Sequence, residues 1–407
     1  MIELKKQMIP LQVKRLEQQE NSVAVSRIDG CRAIELYVGV RPANRGDLAD
    51  QVREIYQKLN GLLREQGGGR KNVITEKVFF SNIGEQVETF RRIREEFYVG
   101  GNGTSPSLPA TTYQHQPPCE KAVLCELQAC VFIPVEAEGM VVRDLEGLVV
   151  PAVGKVVSCR GYDHIYLHNL TGGTPGDGMD YAGQIEAVFD LAEKILEQED
   201  LTFKDVIRTW IYVDEMKRDY DDLNRVRTAF FERVGVKRLP ASTGVQGDVY
   251  PCDRGGSMDL YALRTERPVE VEMMHASTLN EAWSYGSAFA RGMTVEREDR
   301  TVAYVSGTAS IDTKGNVVHI GDIEGQVRRM LLNVEELLHG SAAQLSDIVQ
   351  ATTYLKHAED CETFKRVLGE KDFPLDIPHT ICKADICRPD WLVEIEVMAI
   401  FPSHQGG

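Results

Sequence analysis

Three segments of the chain have apolar residues recurring at intervals of three and four, the spacing that places them on one face of a helix. Each segment predicts an amphipathic helix packed on another layer, and a glutamine lies early in each one, at Gln51, Gln184 and Gln326. The apolar positions are Leu48, Val52, Ile55, Leu59 and Leu62, then Ile185, Val188, Ala192 and Ile195, then Ile323, Val327, Met330, Val334 and Leu337.

Runs rich in β-branched and aromatic residues surround each predicted helix, and this composition is typical of strands. The predicted strands before the helices are residues 33–39, 164–170 and 302–307, and those after them are 73–81, 206–213 and 348–355. Each copy then continues with a second helix, a proline and a last strand. The second helices are residues 87–97, 220–234 and 361–368, the prolines are 109, 240 and 378, and the last strands lie around Glu126, Asp259 and Glu394.

The landmarks repeat at a nearly constant period, which indicates three copies of one unit. Gln51 and Gln184 are 133 residues apart, and so are Glu126 and Asp259. Each copy reads β-β-α-β-α-β, an α+β arrangement with two helices on one face of a mixed sheet. We predict units at 1–140, 150–268 and 280–402, joined by linkers near 135–155 and 265–284. Their open sheet faces are expected to meet in a central barrel-like core, with the helices outside, as a pseudo-threefold trimer in one chain.

Composition favours a globular protein that does not bind nucleic acid. Apolar residues make up 43% of the 407 residues and the formal net charge is −16, a field that repels phosphate backbones. No apolar run is long enough to span a membrane, and the amino-terminal residues contain no apolar leader, so a cytoplasmic location is expected. We expect a monomer or a low-order homo-oligomer.

Metal and cofactor motifs are missing from the sequence. The nine cysteines are an odd number with no Cys-x-x-Cys pair, which predicts free thiols rather than disulfides or a zinc site. His164 and His168 lie in an alternating segment and are expected to be a solvent-facing pair. We therefore predict neither metal nor cofactor.

The third copy resembles the reactive-intermediate deaminase (Rid, YjgF-like) superfamily, formerly called endoribonuclease L-PSP. The resemblance rests on residues 305–312, 321–326, 332–338 and 347–355, on Pro378 and on 392–400, and copies one and two match more weakly. It implies a trimer-like fold with ligand clefts between adjacent sheets. The deaminases of this family carry a carboxylate-clamping arginine two residues after the proline, where this chain has Thr111, Ser242 and Thr380.

A closer similarity is to the chorismatases, which release pyruvate from chorismate. The similar segments are 283–291 before 305–310, 384–388 before 392–396, and 208–212 and 240–244 in copy two. The resemblance implies that chorismatases have two such units. Residues 1–150 then have no counterpart, and we expect a scaffold role for the first copy.

The resemblance implies that Glu394 is the general acid of such a reaction and that Cys387, seven residues earlier, assists rearomatisation of the ring. Strand alternation independently places Glu394 and Glu396 on the face opposite Val393 and Ile395. A carboxyl group in an apolar cleft acquires a raised pKa and can protonate a vinyl ether. Glu394 could instead be a structural partner of an arginine, and Glu396 is expected in an edge salt bridge.

A dicarboxylate substrate must be held by cations and hydroxyl groups. The candidates near the similar segments are Arg291, Arg388, Arg208, Tyr285 and Tyr212. Three functions remain open: chorismatase-like cleavage between copies two and three, Rid-type imine or enamine deamination with an altered clamp, and ligand binding without catalysis.

Overall fold

The structure is a computed structural model of the chain. It describes residues 11–16, 22–30, 33–99, 108–136, 139–145, 148, 153–159, 161–174, 176–267 and 269–403. Within these ranges the chain forms three mixed sheets and six α-helices.

The first unit contains six strands and two helices. In chain order these are β1 (Gln12–Leu16), β2 (Val23–Asp29), β3 (Ala33–Val40), α1 (Leu48–Glu65), β4 (Val73–Phe80), α2 (Ile83–Val99), β5 (Ala110–His115) and β6 (Cys125–Pro134).

The second unit repeats this order. Its elements are β7 (Met140–Asp144), β8 (Val153–Cys159), β9 (Tyr162–Leu170), α3 (Tyr181–Gln198), β10 (Val206–Val213), α4 (Met216–Val234), β11 (Ala241–Gln246), the short β12 (Asp248–Val249) and β13 (Gly256–Thr265).

The third unit follows the same plan. It comprises β14 (Glu270–Met273), β15 (Gly292–Glu296), β16 (Thr301–Ala309), α5 (Ile323–His339), β17 (Ile348–Leu355), α6 (Cys361–Gly369), β18 (His379–Lys383) and β19 (Val393–Phe401).

The sheet orders confirm the α+β class and the three tandem units. They are β1-β2-β3-β6-β4-β5-β12, β11-β10-β13-β9-β8-β7 and β14-β15-β16-β19-β17-β18. Each unit also contains a strand that the β-β-α-β-α-β pattern does not include: β5, β11 and β18 follow the prolines and pair in parallel with β4, β10 and β17. The second helix of each unit is therefore the crossover between two parallel strands.

Strands also form inside both predicted linkers. β7 pairs with β8 and β14 pairs with β15, so the two segments are edge strands of the second and third sheets. β12 pairs with β5 of the first unit and links two units through backbone hydrogen bonds.

The repeated glutamines tie the first helix of each unit to the loop before the last strand. Gln51 accepts a hydrogen bond from the backbone N–H of Leu124 at 2.8 Å. Gln184 and Gln326 accept equivalent bonds from Gly255 and Leu392, both at 2.8 Å. A buried backbone donor left without an acceptor costs roughly 1–3 kcal/mol, which explains a polar side chain at a buried helix position.

The three open sheet faces pack against one another, as predicted, and the helices lie outside. One buried apolar cluster combines Ile74 of the first unit, Val157 of the second and Met398 of the third. Separate clusters under the helices form one core for each unit.

The expectation of a solvent-facing histidine pair is wrong. His164 and His168 are 5% and 6% exposed, and they bond Tyr261 and Thr112 inside the molecule. The alternating segment forms β9, whose two faces are both covered because the sheet has helices on one side and the other sheets on the opposite side.

No helix in the described part of the chain combines the length and apolar character needed to cross a membrane.

Candidate active site

The last strand of each unit carries an acid at the matching position, and each acid faces a junction between two units. Glu126 lies beside Arg41 and Thr380, Asp259 lies beside Thr112, and Glu394 lies in a cleft between units two and three. The junctions are therefore related by the repeat, and differences among them show which one has an acid free to react.

Protein groups engage two of the three acids. Arg41 Nε donates a hydrogen bond to Glu126. Asp259 accepts hydrogen bonds from Thr112 Oγ1 at 2.7 Å and from the backbone N–H of Asn169 at 2.8 Å. Among the described residues, Glu394 has no hydrogen-bond partner, although it is only 4% exposed. Its carboxyl group is thus buried and available to a ligand.

The Glu394 cleft spans about 400 Å³ with the open solvent at its mouth included. The pKa of Glu394 is raised to about 8, chiefly by burial and also by the negative charge of Glu396, while Arg291 and Arg208 act in the opposite direction. A carboxyl group with this pKa carries its proton at neutral pH and can donate it.

Gly307 makes room for the Glu394 carboxyl group. A Cβ atom at Gly307 would lie 2.0 Å from Glu394 Oε1, closer than any side chain tolerates. The backbone N–H of Gly307 donates to Thr243 Oγ1 at 3.0 Å, which fixes β16 against the second unit. The Glu394 carboxyl group can therefore occupy its observed position because residue 307 has no side chain.

Two buried arginines line the same cleft. Arg291 donates from Nε to the Asn280 carbonyl oxygen at 2.7 Å, and Arg227 of α4 donates from Nη2 to Asn224 Oδ1 at 2.7 Å. Their guanidinium carbons lie 5.7 and 5.4 Å from the centre of the Phe289 ring. Each arginine is 3% exposed, and this pair can bind a ligand with carboxylate groups.

Cys387 contributes a protonated thiol to the cleft. The pKa of this thiol is raised to about 12, chiefly by burial and also by the negative charge of the neighbouring Glu394, while a hydrogen bond from Tyr220 acts in the opposite direction. The thiol is therefore not a thiolate near neutral pH. Tyr220 itself lines the cleft, and its hydroxyl oxygen lies 3.2 Å from Ser287 Oγ.

The structure brings together three of the site residues predicted from the sequence: the lining of this cleft includes Glu394, Cys387 and Arg291. Arg388 follows Cys387 but donates to the Gly315 carbonyl oxygen, and its guanidinium lies 5.2 Å from the Trp391 ring centre.

The other predicted ligand-binding residues lie elsewhere or cannot be placed. Arg208 pairs with Glu396 at 2.7 Å, a buried pair rather than the edge salt bridge expected for Glu396. Tyr212 is fully buried in a cluster with Phe79. Tyr285 belongs to a short 3₁₀ turn, and its side chain lies outside the described part of the structure.

Arg227 is the main residue that the sequence reasoning missed. It interrupts the buried face of α4 between Val226 and Phe230, and it lies 133 residues after Arg94, which interrupts the buried face of α2. The signal for Arg227 in the sequence is therefore the repeat period of 133 residues, because it pairs two arginines that lie on apolar helix faces in copies one and two.

In the first two units, the residue that lies two positions after the proline forms hydrogen bonds within the protein. Thr111 accepts a hydrogen bond from Arg94 at 2.6 Å, and Ser242 donates its backbone N–H to Ser306 Oγ at 2.9 Å. Thr380 lies in the cleft between units three and one.

Within the described ranges, no group of three His, Cys, Asp or Glu side chains is placed to share a metal ion. The eight cysteines described are free thiols, and Cys31 lies outside the described residues.

Comparisons with known proteins identify the family of the chain. A family model described as Endoribonuclease L-PSP matches residues 169–253 and 288–401. The 3-aminoacrylate deaminase RutC of Acinetobacter baylyi is 30% identical over 99 residues, which is 24% of this chain and 78% of RutC. The chorismatase of Streptomyces rapamycinicus is 26% identical over 223 residues, which is 48% of this chain and 64% of that enzyme.

A solved chorismatase structure shares the fold. The superposition has a TM-score of 0.59 at 18% identity and covers 91% of this chain and 100% of the chorismatase chain. The expectation that residues 1–150 have no counterpart in chorismatases is therefore wrong. The counterpart is not visible in the sequence, because the residues of a sheet can change while its geometry is kept.

Proposed function

Because the chain belongs to the endoribonuclease L-PSP (Rid, YjgF-like) family and is similar to a deaminase and a chorismatase, we propose that it is an enzyme of the chorismatase kind. It cleaves the enolpyruvyl ether of chorismate, or of a similar cyclic carboxylate, and releases pyruvate. The observation that carries the proposal is the buried Glu394, which has a raised pKa and no hydrogen-bond partner among the described residues, in one cleft with two buried arginines.

Glu394 acts as the general acid. It donates its proton to the terminal methylene carbon of the enolpyruvyl group, whose π electrons form the new C–H bond and leave an oxocarbenium ion. Water adds to the cationic carbon and returns a proton to the Glu394 carboxylate. The hemiketal then collapses: the bond between its ketal carbon and the ring oxygen breaks, the hemiketal hydroxyl loses its proton to that ring oxygen and becomes the carbonyl of pyruvate, and a ring alcohol is left.

Arg227 and Arg291 bind the carboxylates of the substrate. Both guanidinium groups are anchored by asparagines, so little conformational entropy is lost when they bind an anion. The positive charges also offset the −16 net charge of the chain locally, which lets an anion enter the cleft.

Cys387 contacts the ring of the substrate as a neutral thiol. Its raised pKa excludes a thiolate nucleophile at neutral pH in the unliganded cleft. A role in ring rearomatisation, as the resemblance implies, would therefore begin from the protonated form.

A Rid-type deaminase is the second candidate, and the 30% identity to RutC favours it. The positions of the deaminase clamp hold Thr111, Ser242 and Thr380, which cannot form a bidentate bond to a carboxylate as a guanidinium does. Arg227 and Arg291 would have to replace that clamp. Ligand binding without catalysis is the remaining alternative.

The deciding experiment measures pyruvate from chorismate with lactate dehydrogenase and NADH. We expect release by the wild-type protein, a loss of at least about 100-fold in Glu394→Gln, and unchanged release in the matched Glu126→Gln variant. Chorismate left intact at high wild-type concentration would overturn the proposal.

Parallel assays separate the alternatives. A deaminase would lower the amount of semicarbazide-trapped imine formed from serine by a dehydratase, with chorismate untouched. A binding protein would do neither, yet its melting temperature would rise with a small carboxylate. The cytoplasmic location and the monomeric or low-order oligomeric state stay predictions, which fractionation and light scattering can test.

A further inference from the structure

A second cavity lies between the three sheets, apart from the Glu394 cleft, and spans about 830 Å³ with the open solvent at its mouth included. Each unit contributes one charged side chain to its wall: Lys77 from β4, Arg208 from β10 and Glu396 from β19. Among the described side chains that line it, Glu396 is the one acid, and it faces two basic side chains, Lys77 and Arg208, whose pKa values burial lowers. None of these three residues binds substrate or donates a proton in the mechanism proposed for Glu394, although the charges of Arg208 and Glu396 influence the pKa of that acid.

Glu396 is already fully engaged. It accepts hydrogen bonds from Arg208 Nη2 at 2.7 Å and from Trp210 Nε1 at 3.1 Å, one on each carboxylate oxygen. Burial raises its pKa, but Lys77 and Arg208 lower it by more, so it is a carboxylate at neutral pH. The nearby Asp259, behind the wall, is likewise bonded to Thr112 and to the Asn169 backbone.

Both cations retain donors without acceptors. Lys77 makes no hydrogen bond to any described residue, and its ammonium nitrogen lies 3.9 Å from the nearest Glu396 oxygen. Arg208 is 2% exposed, and its Nη1 has no hydrogen-bond partner among the described residues. A buried donor left unsatisfied costs roughly 1–3 kcal/mol, and more when it is charged, so these two groups fit an anionic acceptor.

Aromatic side chains form much of the remaining wall. The Lys77 ammonium lies 4.6 Å from the Trp210 ring centre, and the Tyr261 ring centre lies 5.2 Å from that of Tyr166 and 5.5 Å from that of Tyr304. Such faces and edges pack well against a planar ring.

We propose that this central cavity is a binding site for a small aromatic carboxylate. The carboxylate accepts hydrogen bonds from Lys77 Nζ and Arg208 Nη1, and the ring packs against Trp210 and the tyrosines. The inference does not depend on the reaction proposed for the Glu394 cleft.

The test is calorimetric titration of the full-length protein with sodium benzoate, and with benzamide as the neutral analogue. We expect a benzoate site that is weakened at least about tenfold in Lys77→Met, retained in Lys77→Arg and unchanged in Arg291→Gln. Benzamide should not bind there, because it carries no negative charge.

Identical benzoate isotherms for the wild type and Lys77→Met would overturn the proposal, and so would loss in Arg291→Gln alone, which would assign the binding to the Glu394 cleft. Lys77→Met removes a buried charge and leaves Glu396 paired with Arg208, so the variant should fold. Should it not fold, equal affinity of the wild type for benzoate and benzamide would still refute the site.

Discussion

Replacing Glu394 with glutamine should stabilise the protein while it removes the proposed activity. The pKa of Glu394 rises from an ordinary 4.5 to about 8 in the folded chain. The folded state therefore binds the proton more tightly, and unfolding releases it between these two pH values. Stability is unaffected by this group below about pH 4.5, falls as pH rises through the window, and levels off above about pH 8.

The size of the effect follows from the shift. At about 1.4 kcal/mol for each pH unit, ionisation of Glu394 lowers the free energy of unfolding by about 3 kcal/mol at pH 7 and by 4 to 5 kcal/mol above pH 8. A neutral glutamine of the same shape avoids this penalty. With an unfolding entropy of about 2 cal/mol/K per residue, the melting temperature at pH 7 should rise by about 3 to 4 °C.

The assay is thermal unfolding followed by circular dichroism from pH 5 to 9, for the wild type and for Glu394→Gln. Glu396→Gln is the matched control, two residues away on the same strand and buried, but with a lowered pKa. It should be less stable than the wild type at pH 7, by about 3 to 5 kcal/mol, because Arg208 loses its charged partner. A stability difference between Glu394→Gln and the wild type that does not change with pH would refute the reasoning.

Three further substitutions test the geometry of the cleft. Arg227→Gln should lower kcat/KM for chorismate by about 10- to 100-fold, mainly through KM, since a charge-assisted hydrogen bond contributes about 1.5 to 3 kcal/mol; steady-state pyruvate assays measure this, and an unchanged KM would contradict it. Arg94→Met, at the matched helix position in the first unit, breaks a buried ion pair with Glu76 at 2.7 Å, so urea titration should show a free energy of unfolding lower by about 3 to 5 kcal/mol. The kcat of the folded variant should be unchanged, and a lower kcat would show that the first unit serves catalysis. Gly307→Ala should lower kcat at least about 100-fold by displacing the Glu394 carboxyl group, with a stability loss of about 1 to 3 kcal/mol; full activity would mean that the acid does not need the observed position.

Much of the fold was predictable from the sequence because its signals are local. Helix periodicity located α1, α3 and α5, and β-branched runs located the central strands β4, β10 and β17. The strands after the prolines were missed for a physical reason. β5 and β11 contain several threonine, serine and glutamine residues, so they lack the apolar alternation of an ordinary strand. The hydroxyl groups of two of them, Thr112 and Thr243, form hydrogen bonds with neighbouring units, which only the folded chain brings close.

The repeat period and strand alternation also placed Glu394 on the face away from the helices, which the structure bears out: Val393 and Ile395 pack in the core under the helices and Glu394 lines the cleft. What the sequence by itself determined is the set of units and the faces of their strands, since both depend on residues close together in the chain.

Only the tertiary structure decided which cation meets which acid. Arg208 and Arg227 both lie in the second unit, yet one pairs with Glu396 in the central cavity and the other lines the Glu394 cleft. Their destinations depend on how the second and third units pack together, and no local pattern records that packing. Among the described residues, the same packing gives partners to Glu126 and Asp259 but none to Glu394, so the proton affinity of each acid follows from burial and from neighbours that the fold brings together.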